Sequence, residues 1–283
     1  MSPSASHGDI THVSDTALLV AACRALESES ADGFVHDPFA ARLAGDRGMA
    51  ILRGLARPET MQFGIGVRSR FMDELLLQSL ASKPISTVIC LGCGLDTRPW
   101  RLDLSPDLRW IEVDFADMLD YKEGLMSAET PRCRRERITA DVNDAAQRDA
   151  LFAVVGPEPA FLITEGLLMY LPAATVEAMA AECWQKSGIV HWMSDITSSA
   201  FAKMVGMDTV QQVRDVQASD SLSGEQILSV IRQNGWSTSA HRSYITDLAF
   251  AMDRIRRTMG EPPASPPPAF VNDPTGVHCL TRV

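Results

Sequence analysis

The chain of 283 residues predicts an α/β fold with a doubly wound, mostly parallel sheet of seven strands and an N-terminal helical extension. Three observations support this fold class. Short apolar runs alternate with segments of helical periodicity through the middle of the chain. A Gly-x-Gly turn follows the first of these runs. The chain also ends on a strand-like segment after a long excursion, which indicates an antiparallel C-terminal hairpin at one edge of the sheet.

The N-terminal part of the chain is predicted to be helical. Hydrophobic periodicity indicates helices over Thr16–Glu29, over Phe39–Leu55 as one or two short helices, and over Arg68–Ser82. Asp37-Pro38 separates the first two, because the residue before a proline disfavours helical backbone. We expect residues 1–83 to form a helical cap on an α/β domain of residues 84–283, the two making one integrated domain.

Five runs in the middle of the chain have the length and composition of parallel strands. Helical segments separate them at the spacing of strand–helix–strand units, which predicts a doubly wound sheet. The predicted strands are Ile85–Leu91, Trp110–Val113, Arg135–Thr139, Ala160–Thr164 and Ile189–Met193, and the helices are Phe115–Met126, Asp144–Val155 and Ala173–Gln185.

The C-terminal part predicts one capped helix and two late strands. The helix spans Ser223–Asn234, with Ser223 as its N-cap and Gly235 as its stop. The strands Ser237–Ile245 and Val277–Val283 follow, separated by a helical stretch at Asp247–Met259 and a proline-rich loop at 262–268. Two late strands that lie next to each other would form the antiparallel edge hairpin.

The segment from Val88 to Arg98 is the most informative in the chain. Four apolar residues lead into Gly92-Cys93-Gly94, a turn that lets backbone approach a ligand at the carboxyl end of the first strand. A dinucleotide site would need a third glycine where Thr97 stands, and Asp96 would repel a pyrophosphate. A Gly-Lys-Ser/Thr phosphate loop is also absent. A cofactor with a ribose and no phosphate, such as S-adenosylmethionine, fits this turn better.

Composition excludes several other classes of protein. The net charge of −10, without a block of basic residues, argues against nucleic acid as a partner. No apolar run approaches the roughly 18 residues of a membrane span, and no signal sequence is evident, so we expect a soluble cytoplasmic protein. The six cysteines are scattered, and Cys90 and Cys93 are predicted to be reduced packing residues. None of the six histidines has metal-ligand spacing, so no metal is expected.

Taken in order along the chain, these segments resemble the leucine carboxyl methyltransferase family. That family includes enzymes that esterify the C-terminal carboxylate of a protein phosphatase, and bacterial O-methyltransferases that act on polyketides. The resemblance implies a Rossmann-like, S-adenosylmethionine-dependent methyltransferase domain. The matching segments are Asp37-Pro38-Phe39-Ala40, Arg70, the string from Leu91 to Arg98, Trp100-Arg101-Leu102, Glu112-Val113-Asp114 and the string from Thr164 to Leu171.

The predicted cofactor site begins at Asp114, which ends the second strand. A carboxylate there can accept both ribose hydroxyls, or it can cap the helix from Phe115 onward. Gly92, Cys93 and Gly94 are expected beneath the methionine part of the cofactor, and Phe115 is expected to contact the cofactor as well. Asp96 is expected to hold the cofactor indirectly or to support Arg98 and Arg101, with support favoured.

The resemblance implies further cofactor contacts. Asp141 would accept a hydrogen bond from the adenine amino group while Val142 stacks on the ring, although Asp141 could instead cap a helix. Arg70 would bind the α-carboxylate of the cofactor, since a guanidinium suits a bidentate contact, with a solvated surface arginine as the alternative. Arg24 would be a second basic contact.

Two residues after the fourth strand are the predicted catalytic candidates. Glu165 stands where donor and acceptor must meet, and it could bind the cofactor's ammonium group or orient the acceptor. Tyr170 is expected to line the acceptor pocket, with a core tyrosine as the alternative. The segment is not the Asn/Asp-Pro-Pro-Tyr string associated with nitrogen methylation, which favours an oxygen acceptor.

The sequence therefore predicts an S-adenosylmethionine-dependent O-methyltransferase with a small, polyketide-like acceptor. A carboxylate acceptor is preferred over a phenol or enol because no histidine or lysine is evident as a base. Acceptor specificity is expected from the cap helices and from 201–220, where Gly206, Asp208, Gln211 and Gln212 suggest mobility. The alternatives are a protein C-terminal carboxyl methyltransferase, a nicotinamide-dependent oxidoreductase and a non-catalytic S-adenosylmethionine-binding protein. The oligomeric state is not predicted.

Overall fold

The computed structural model describes residues 10, 12–205, 218–260, 270 and 272–283. Its N-terminal cap consists of α1 (Val13–Glu29), α2 (Ala40–Gly54) and α3 (Pro58–Ser82). The third helix begins at Pro58 rather than at Arg68, because a proline is favoured in a first turn, where its missing N–H is not needed. Gly45, with φ at 54°, breaks α2, so the segment predicted as one or two helices forms two helical pieces.

Strands and helices then alternate as predicted. The strands are β1 (Thr87–Leu91), β2 (Arg109–Asp114), β3 (Arg134–Thr139), β4 (Ala160–Thr164), β5 (Ile189–Ile196), β6 (Trp236–Ser243) and β7 (Gly276–Arg282). The helices are α4 (Arg98–Arg101), α5 (Ala116–Met126), α6 (Ala145–Val155), α7 (Ala173–Gln185), α8 (Ser199–Met204), α9 (Gly224–Gln233) and α10 (Met252–Met259). Short 3₁₀ turns occur at Leu168–Tyr170 and Ala249–Ala251.

The seven strands form one sheet in the order β3-β2-β1-β4-β5-β7-β6. The first five strands are parallel, and β7 runs antiparallel to both β5 and β6. This confirms the predicted mostly parallel sheet with an antiparallel C-terminal hairpin at its edge. The order reverses between β1 and β4, and ligands of open α/β sheets bind at such a switch point.

Both faces of the sheet are covered. Ile89 and Leu91 of β1 join the core on the side of α6, α7 and α9, whereas Val88 and Cys90 join the core on the side of α3. A third apolar cluster fills the cap, where α1 packs on α2. Phe71 and Leu76 of α3 belong to the sheet-side core, which fixes the cap over the carboxyl edge of the sheet.

Two predicted segments differ in extent or fall outside the described residues. The fifth strand continues beyond Met193 to Ile196, because it pairs with β7 over most of its length, and Asp195 therefore lies near the end of a strand. The proline-rich loop at 262–268 and the positions Gly206, Asp208, Gln211 and Gln212 lie outside the described residues.

The cysteines are free and buried, which agrees with the prediction that Cys90 and Cys93 are reduced packing residues. No group of three or more His, Cys, Asp or Glu side chains suited to a metal ion occurs in the part of the chain that the structure describes. None of the helices within the described ranges combines the length and apolar character needed to cross a membrane.

Candidate active site

A cavity of about 340 Å³ opens at the carboxyl edge of β1, β2 and β4, beneath helix α1. Its volume falls within the range of about 300 to 1,000 Å³ typical of ligand pockets. Parallel strands bring the residues that follow them to this one edge, although these residues are far apart in sequence. The predicted residues that line the cavity are Arg24, Gly92, Cys93, Gly94, Asp114, Phe115, Asp141, Val142, Glu165 and Tyr170. Arg70 does not line it.

The glycine turn is built for close packing. Gly92 and Gly94 have φ of 59° and 43°, which favours glycine at both positions. A Cβ on Gly92 would lie 2.8 Å from the Leu167 side chain, so the turn could not carry a larger residue there without displacing the wall of the cavity. The N–H of Cys93 donates to the Val113 carbonyl at 3.1 Å, which ties the turn to β2.

Asp114 is held with its carboxylate at the cavity wall. Its two oxygens accept hydrogen bonds from the N–H groups of Gly94 at 2.7 Å and Phe115 at 2.8 Å. Burial raises the pKa of Asp114 above its ordinary value. The N-cap of α5 is Phe115, so Asp114 precedes the cap position, and Asp114 lines the cavity.

Asp141 and Val142 line the cavity just after β3, the strand that pairs with β2. The N-cap of α6 is Asp144, whose carboxylate accepts from the N–H groups of Ala146 and Gln147, so Asp141 does not cap this helix. Asp141 instead accepts from the N–H of Asn143 at 2.9 Å. Val142 is buried and contributes apolar surface beside it, an arrangement suited to the edge and the face of a flat heterocycle.

Arg70 is the one predicted site residue that the structure places elsewhere. Its guanidinium pairs with Glu74 at 2.7 Å, one turn further along α3, and stacks over Phe250 at 4.1 Å. More than a third of the side chain is exposed. Arg68 faces the cavity instead, because two residues correspond to roughly 200° around a helix. The Arg70–Glu74 spacing, typical of exposed ion pairs, was the sequence signal that could have separated the two arginines.

Arg68 is held by two carboxylates. Its Nε donates to Glu165 at 2.9 Å, and its Nη1 donates to Asp195 at 3.2 Å. Although burial lowers the pKa of Arg68, the charges of these two partners raise it above its ordinary value. Nη2 makes no hydrogen bond within the described ranges and is not enclosed, so it is the donor that Arg68 offers to the cavity. Asp195 also accepts from the N–H of Gly166 at 2.7 Å.

Glu165 lies between two arginines. One carboxylate oxygen accepts from Arg68, and the other accepts from Nη1 of Arg98 at 2.7 Å. Burial raises the pKa of Glu165, but the charges of Arg98 and Arg68 outweigh it and hold the pKa well below its ordinary range. Glu165 therefore stays ionised, and it orients Arg68 and Arg98 instead of taking a proton.

A second layer of charges supports these arginines. Asp96 accepts from Nη1 of Arg98 at 2.9 Å, which supports the favoured interpretation of Asp96 as a supporting residue. Arg101 pairs with Asp73 of α3 rather than with Asp96. Asp73 also accepts from Nε of Arg98 at 2.6 Å, so one carboxylate of the cap joins both arginines of α4. Neither Asp73 nor Asp195 was singled out as a site residue from the sequence, because each acts through another side chain.

Arg24 enters the cavity from α1. Its Nε donates to Asp37 at 2.9 Å and its Nη2 to the Leu95 carbonyl at 2.7 Å. Asp37 also accepts from the Thr97 hydroxyl at 2.7 Å. These contacts explain why a threonine stands where a dinucleotide site would have its third glycine: the hydroxyl joins the turn to the cap.

Tyr170 lines the cavity from the 3₁₀ turn after β4. Burial raises the pKa of its phenol, and the hydroxyl is hydrogen-bonded to Thr16 of α1. The side chain thus joins the predicted acceptor wall to the cap. A protonated, partnered phenol is suited to shaping the cavity and is a poor proton acceptor.

Comparison with known proteins agrees with this arrangement. The model of the leucine carboxyl methyltransferase family matches residues 17–184, which is more than half of the chain. The chain belongs to the leucine carboxyl methyltransferase family. The cofactor predicted from the sequence, S-adenosylmethionine, is the cofactor of this family's methyltransferases.

Two bacterial relatives are named as S-adenosyl-L-methionine-dependent methyltransferases. An inferred S-adenosyl-L-methionine-dependent methyltransferase of Saccharopolyspora erythraea is 31% identical over 265 residues, covering 87% of this chain and 90% of that relative. Another from Streptomyces avermitilis is 37% identical over 180 residues, covering 59% of this chain. That alignment spans 62% of the Streptomyces protein's length.

Among solved structures, a DUF574 family protein from Streptomyces avermitilis has a TM-score of 0.58 at 15% identity. The match covers 94% of this chain and 96% of that one. At this identity the likeness concerns the fold alone, and it agrees with the mostly parallel seven-stranded sheet seen here.

The cavity residues fit S-adenosylmethionine. The glycine turn leaves room for close approach to backbone, and a strand-end carboxylate, Asp114, suits a ribose diol. Val142 and Asp141 provide an apolar face and an acceptor for adenine. Nη1 of Arg24 has no hydrogen bond to the described residues and lies at the same cavity, where it suits a carboxylate.

Proposed function

We propose that the protein transfers a methyl group from S-adenosylmethionine to an oxygen of a small-molecule acceptor, with a carboxylate preferred. The observation that carries this proposal is the pairing of a free guanidinium donor, Nη2 of Arg68, with a cavity in which no described histidine or lysine takes part. Such a site can bind an anionic oxygen but offers no base to create one.

In this proposal the cavity residues bind and orient the cofactor. Asp114 holds the ribose, Asp141 and Val142 hold the adenine, and Arg24 holds the carboxylate end beside the glycine turn. S-adenosylmethionine supplies a methyl group activated by its sulfonium charge, which an acceptor oxygen takes up as the carbon–sulfur bond breaks. Positioning and the exclusion of water therefore account for most of the rate.

The acceptor must reach the cavity as an anion. Glu165 is ionised and shared between Arg68 and Arg98, and burial raises the pKa of Tyr170, so its phenol keeps its proton. A carboxylic acid with a pKa near ~4 is already a nucleophile at neutral pH, whereas a phenol with a pKa near ~10 is not. Arg68 would bind the carboxylate and direct one of its oxygens toward the methyl group. A phenol or enol whose pKa is lowered by Arg68 is the second candidate.

The size of the cavity favours a small acceptor. Ser14, Thr16, Ala17 and Val20 of α1 form a roof over it, which restricts the space beside the cofactor. Bacterial relatives of the family that act on polyketides make a polyketide-like acid a suitable first class to test. The C-terminal carboxylate of a protein presents the same functional group and is the alternative acceptor.

The other two alternatives find less support in the site. Asp96 and Thr97 are committed to contacts with Arg98 and Asp37, so the turn holds a buried charge where a nicotinamide dinucleotide would place its pyrophosphate. A non-catalytic protein would bind S-adenosylmethionine in the same cavity without methylating any acceptor, so a measurement of turnover distinguishes it from an enzyme. We also propose that the protein is located in the cytoplasm.

Replacing Arg68 and Arg70 separately by alanine tests the proposed acceptor contact. A panel of carboxylic acids and matching phenols is incubated with labelled S-adenosylmethionine, and products are identified by the mass of one added methyl group. For any acid that is methylated, Arg68→Ala should lower kcat/KM by about 100-fold, because it leaves an anionic acceptor without its partner.

Arg70→Ala is the matched control on the same helix. It removes a half-exposed pair with Glu74 and should leave kcat/KM within about twofold. Binding of S-adenosylhomocysteine to each variant verifies that the cofactor site is intact. Methylation of phenols alone, or equal losses in the two variants, would contradict the proposed role of Arg68.

A further inference from the structure

Arg148 of α6 is a buried arginine that contacts the wall of the cavity. Only 5% of the residue is exposed. Its Nη1 donates to the Val142 carbonyl at 2.8 Å and to the Asn143 carbonyl at 3.2 Å. Both residues belong to the adenine loop, defined as residues 141–143, which follows β3 and lines the cavity. Because one guanidinium nitrogen binds two successive carbonyls, it fixes the path of the backbone there.

The other side of the Arg148 guanidinium is held by α7. Its Nε donates to Glu182 at 3.0 Å, and its Nη2 donates to the second oxygen of the same carboxylate at 3.5 Å. A guanidinium that is paired in this way is held in its orientation toward the loop. A lysine could not bind the carboxylate and both carbonyls together, because its ammonium is a compact point charge on a flexible stem.

Asn143 connects this constrained backbone to the Asp141 carboxylate. Its N–H donates to Oδ1 of Asp141 at 2.9 Å, and its Nδ2 donates to the same oxygen at 3.0 Å. The Thr175 hydroxyl of α7 donates to Oδ1 of Asn143 at 3.0 Å, which fixes the direction of the amide. Oδ2 of Asp141 has no hydrogen bond to the residues that the structure describes, so this oxygen is left to accept from a ligand.

We propose that Arg148 is a positioning residue that makes the cavity selective for adenine. It holds the adenine loop so that Oδ2 of Asp141 accepts a hydrogen bond from the 6-amino group of the base. A 6-oxo base is rejected, because its carbonyl oxygen would face the carboxylate and two acceptors cannot form a hydrogen bond. This inference rests on the proposed function and deepens it, since it concerns how the same site recognises the base of its cofactor.

Two ligands that differ only in the base test the proposal. S-adenosylhomocysteine and S-inosylhomocysteine, in which a carbonyl replaces the 6-amino group, are titrated calorimetrically into the wild type and into Arg148→Lys. The wild type should bind the adenosyl ligand about tenfold or more tightly than the inosyl ligand. Arg148→Lys keeps the charge beside Glu182 but releases the loop, so the preference should fall below about threefold.

Arg109 of β2 provides the matched control. Its Nη1 donates to the carbonyls of Val154 and Val155 at 3.0 Å and 3.4 Å, and its guanidinium pairs with Glu136 at 2.7 Å. These contacts are of the same kind as those of Arg148, but they lie at the opposite end of α6, and Arg109 does not line the cavity. Arg109→Lys should therefore keep the preference for the adenosyl ligand within about twofold of the wild-type value.

Glu182→Gln is the second variant, and it decides the question if Arg148→Lys does not fold. It leaves Arg148 in place but removes the charge that holds it, so the preference for the adenosyl ligand should fall by about twofold or more. The ratio of the two affinities separates positioning from a general structural role, because a loss of structure would weaken the binding of both ligands alike.

Three results would overturn the proposal: equal binding of the two ligands to the wild type, an unchanged preference in the folded Arg148 or Glu182 variant, or the same loss of preference in Arg109→Lys. Failure of the proposed function itself is recognised separately, because in that case S-adenosylhomocysteine would not bind to the wild-type protein at all.

Discussion

Glu165 was a predicted catalytic residue, but in the structure it serves as the counter-charge of Arg68 and Arg98. The carboxylate lines the cavity, yet both of its oxygens are occupied by Arg68 and Arg98. Its contribution is to hold two guanidinium groups in fixed directions. A site organised in this way binds anionic oxygens through the donors that remain free.

The depressed pKa of Glu165 predicts a pH-dependent stability. A carboxyl whose pKa is lowered on folding stabilises the native state above its unfolded pKa, and this contribution is lost as pH falls toward the folded pKa. The ordinary pKa of a glutamate is 4.5, so the wild type should lose stability relative to Glu165→Gln as the pH falls below that value. The difference should shrink by about 1.4 kcal/mol per pH unit.

Urea unfolding of both proteins between pH 7 and pH 3 provides the measurement. At neutral pH the variant should be the less stable of the two, because Arg68 and Arg98 lose a buried counter-charge. Two stability curves that stay parallel below pH 4.5 would show that Glu165 is not the ionised partner described here.

Some site residues could be predicted from the sequence, and others could not. Asp114, Asp141 and the glycines could be placed because each lies at the end of a strand or within three residues of it, and strand ends meet at one edge of a parallel sheet. The family motif alone led to Arg70 rather than Arg68, although the spacing of Arg70 from Glu74 distinguishes the two in the sequence. The choice depends on how α3 is rotated against β4 and β5, which is set by packing of Phe71 and its neighbours.

At the scale of elements, α10 is attached to α1 by a buried ion pair. The Glu27 carboxylate, fully buried in α1, accepts from both terminal nitrogens of Arg254 in α10. It also accepts from Gln62 of α3 at 2.9 Å and from the N–H of Phe34 at 2.9 Å. One side chain thereby joins three elements, including one that follows β6 in the sequence.

Glu27→Gln should lower the free energy of unfolding by about 3 kcal/mol, because it leaves the Arg254 charge largely buried without a counter-charge. Asp32→Asn is the matched control: the Asp32–Arg257 pair joins the same parts of the chain but is exposed, and its loss should cost less than about 1 kcal/mol. Urea unfolding at pH 7 measures both, and equal effects would contradict the proposed importance of burial.

The sequence predicts the position and the ends of some strands better than those of others. β1 and β4 are recognisable because they are short, wholly apolar and buried on both faces. The end of β5 was placed too early, since the extension to Ile196 depends on pairing with β7, more than seventy residues later in the chain. Asp195 was therefore not assigned to the site, although it holds both Arg68 and the Gly166 turn.

At the scale of the whole molecule, the strand order explains why one cavity collects residues from so much of the chain. The switch point between β1 and β4 opens the crevice, and the helical cap covers it through Arg24 and through Thr16, which is hydrogen-bonded to Tyr170. The alternation of strands and helices made this architecture predictable. The contacts between cap and sheet could not be predicted, because they join distant segments by single ion pairs and hydrogen bonds.

The most direct test of the account is calorimetric titration with S-adenosylmethionine, S-adenosylhomocysteine and NADH. We expect micromolar binding of the two adenosyl ligands and none of NADH. Binding should be lost in Asp114→Ala and kept in Asp117→Ala, an exposed acid of α5 that lies outside the cavity. Binding of NADH without binding of either adenosyl ligand would contradict the assignment of this cavity to S-adenosylmethionine.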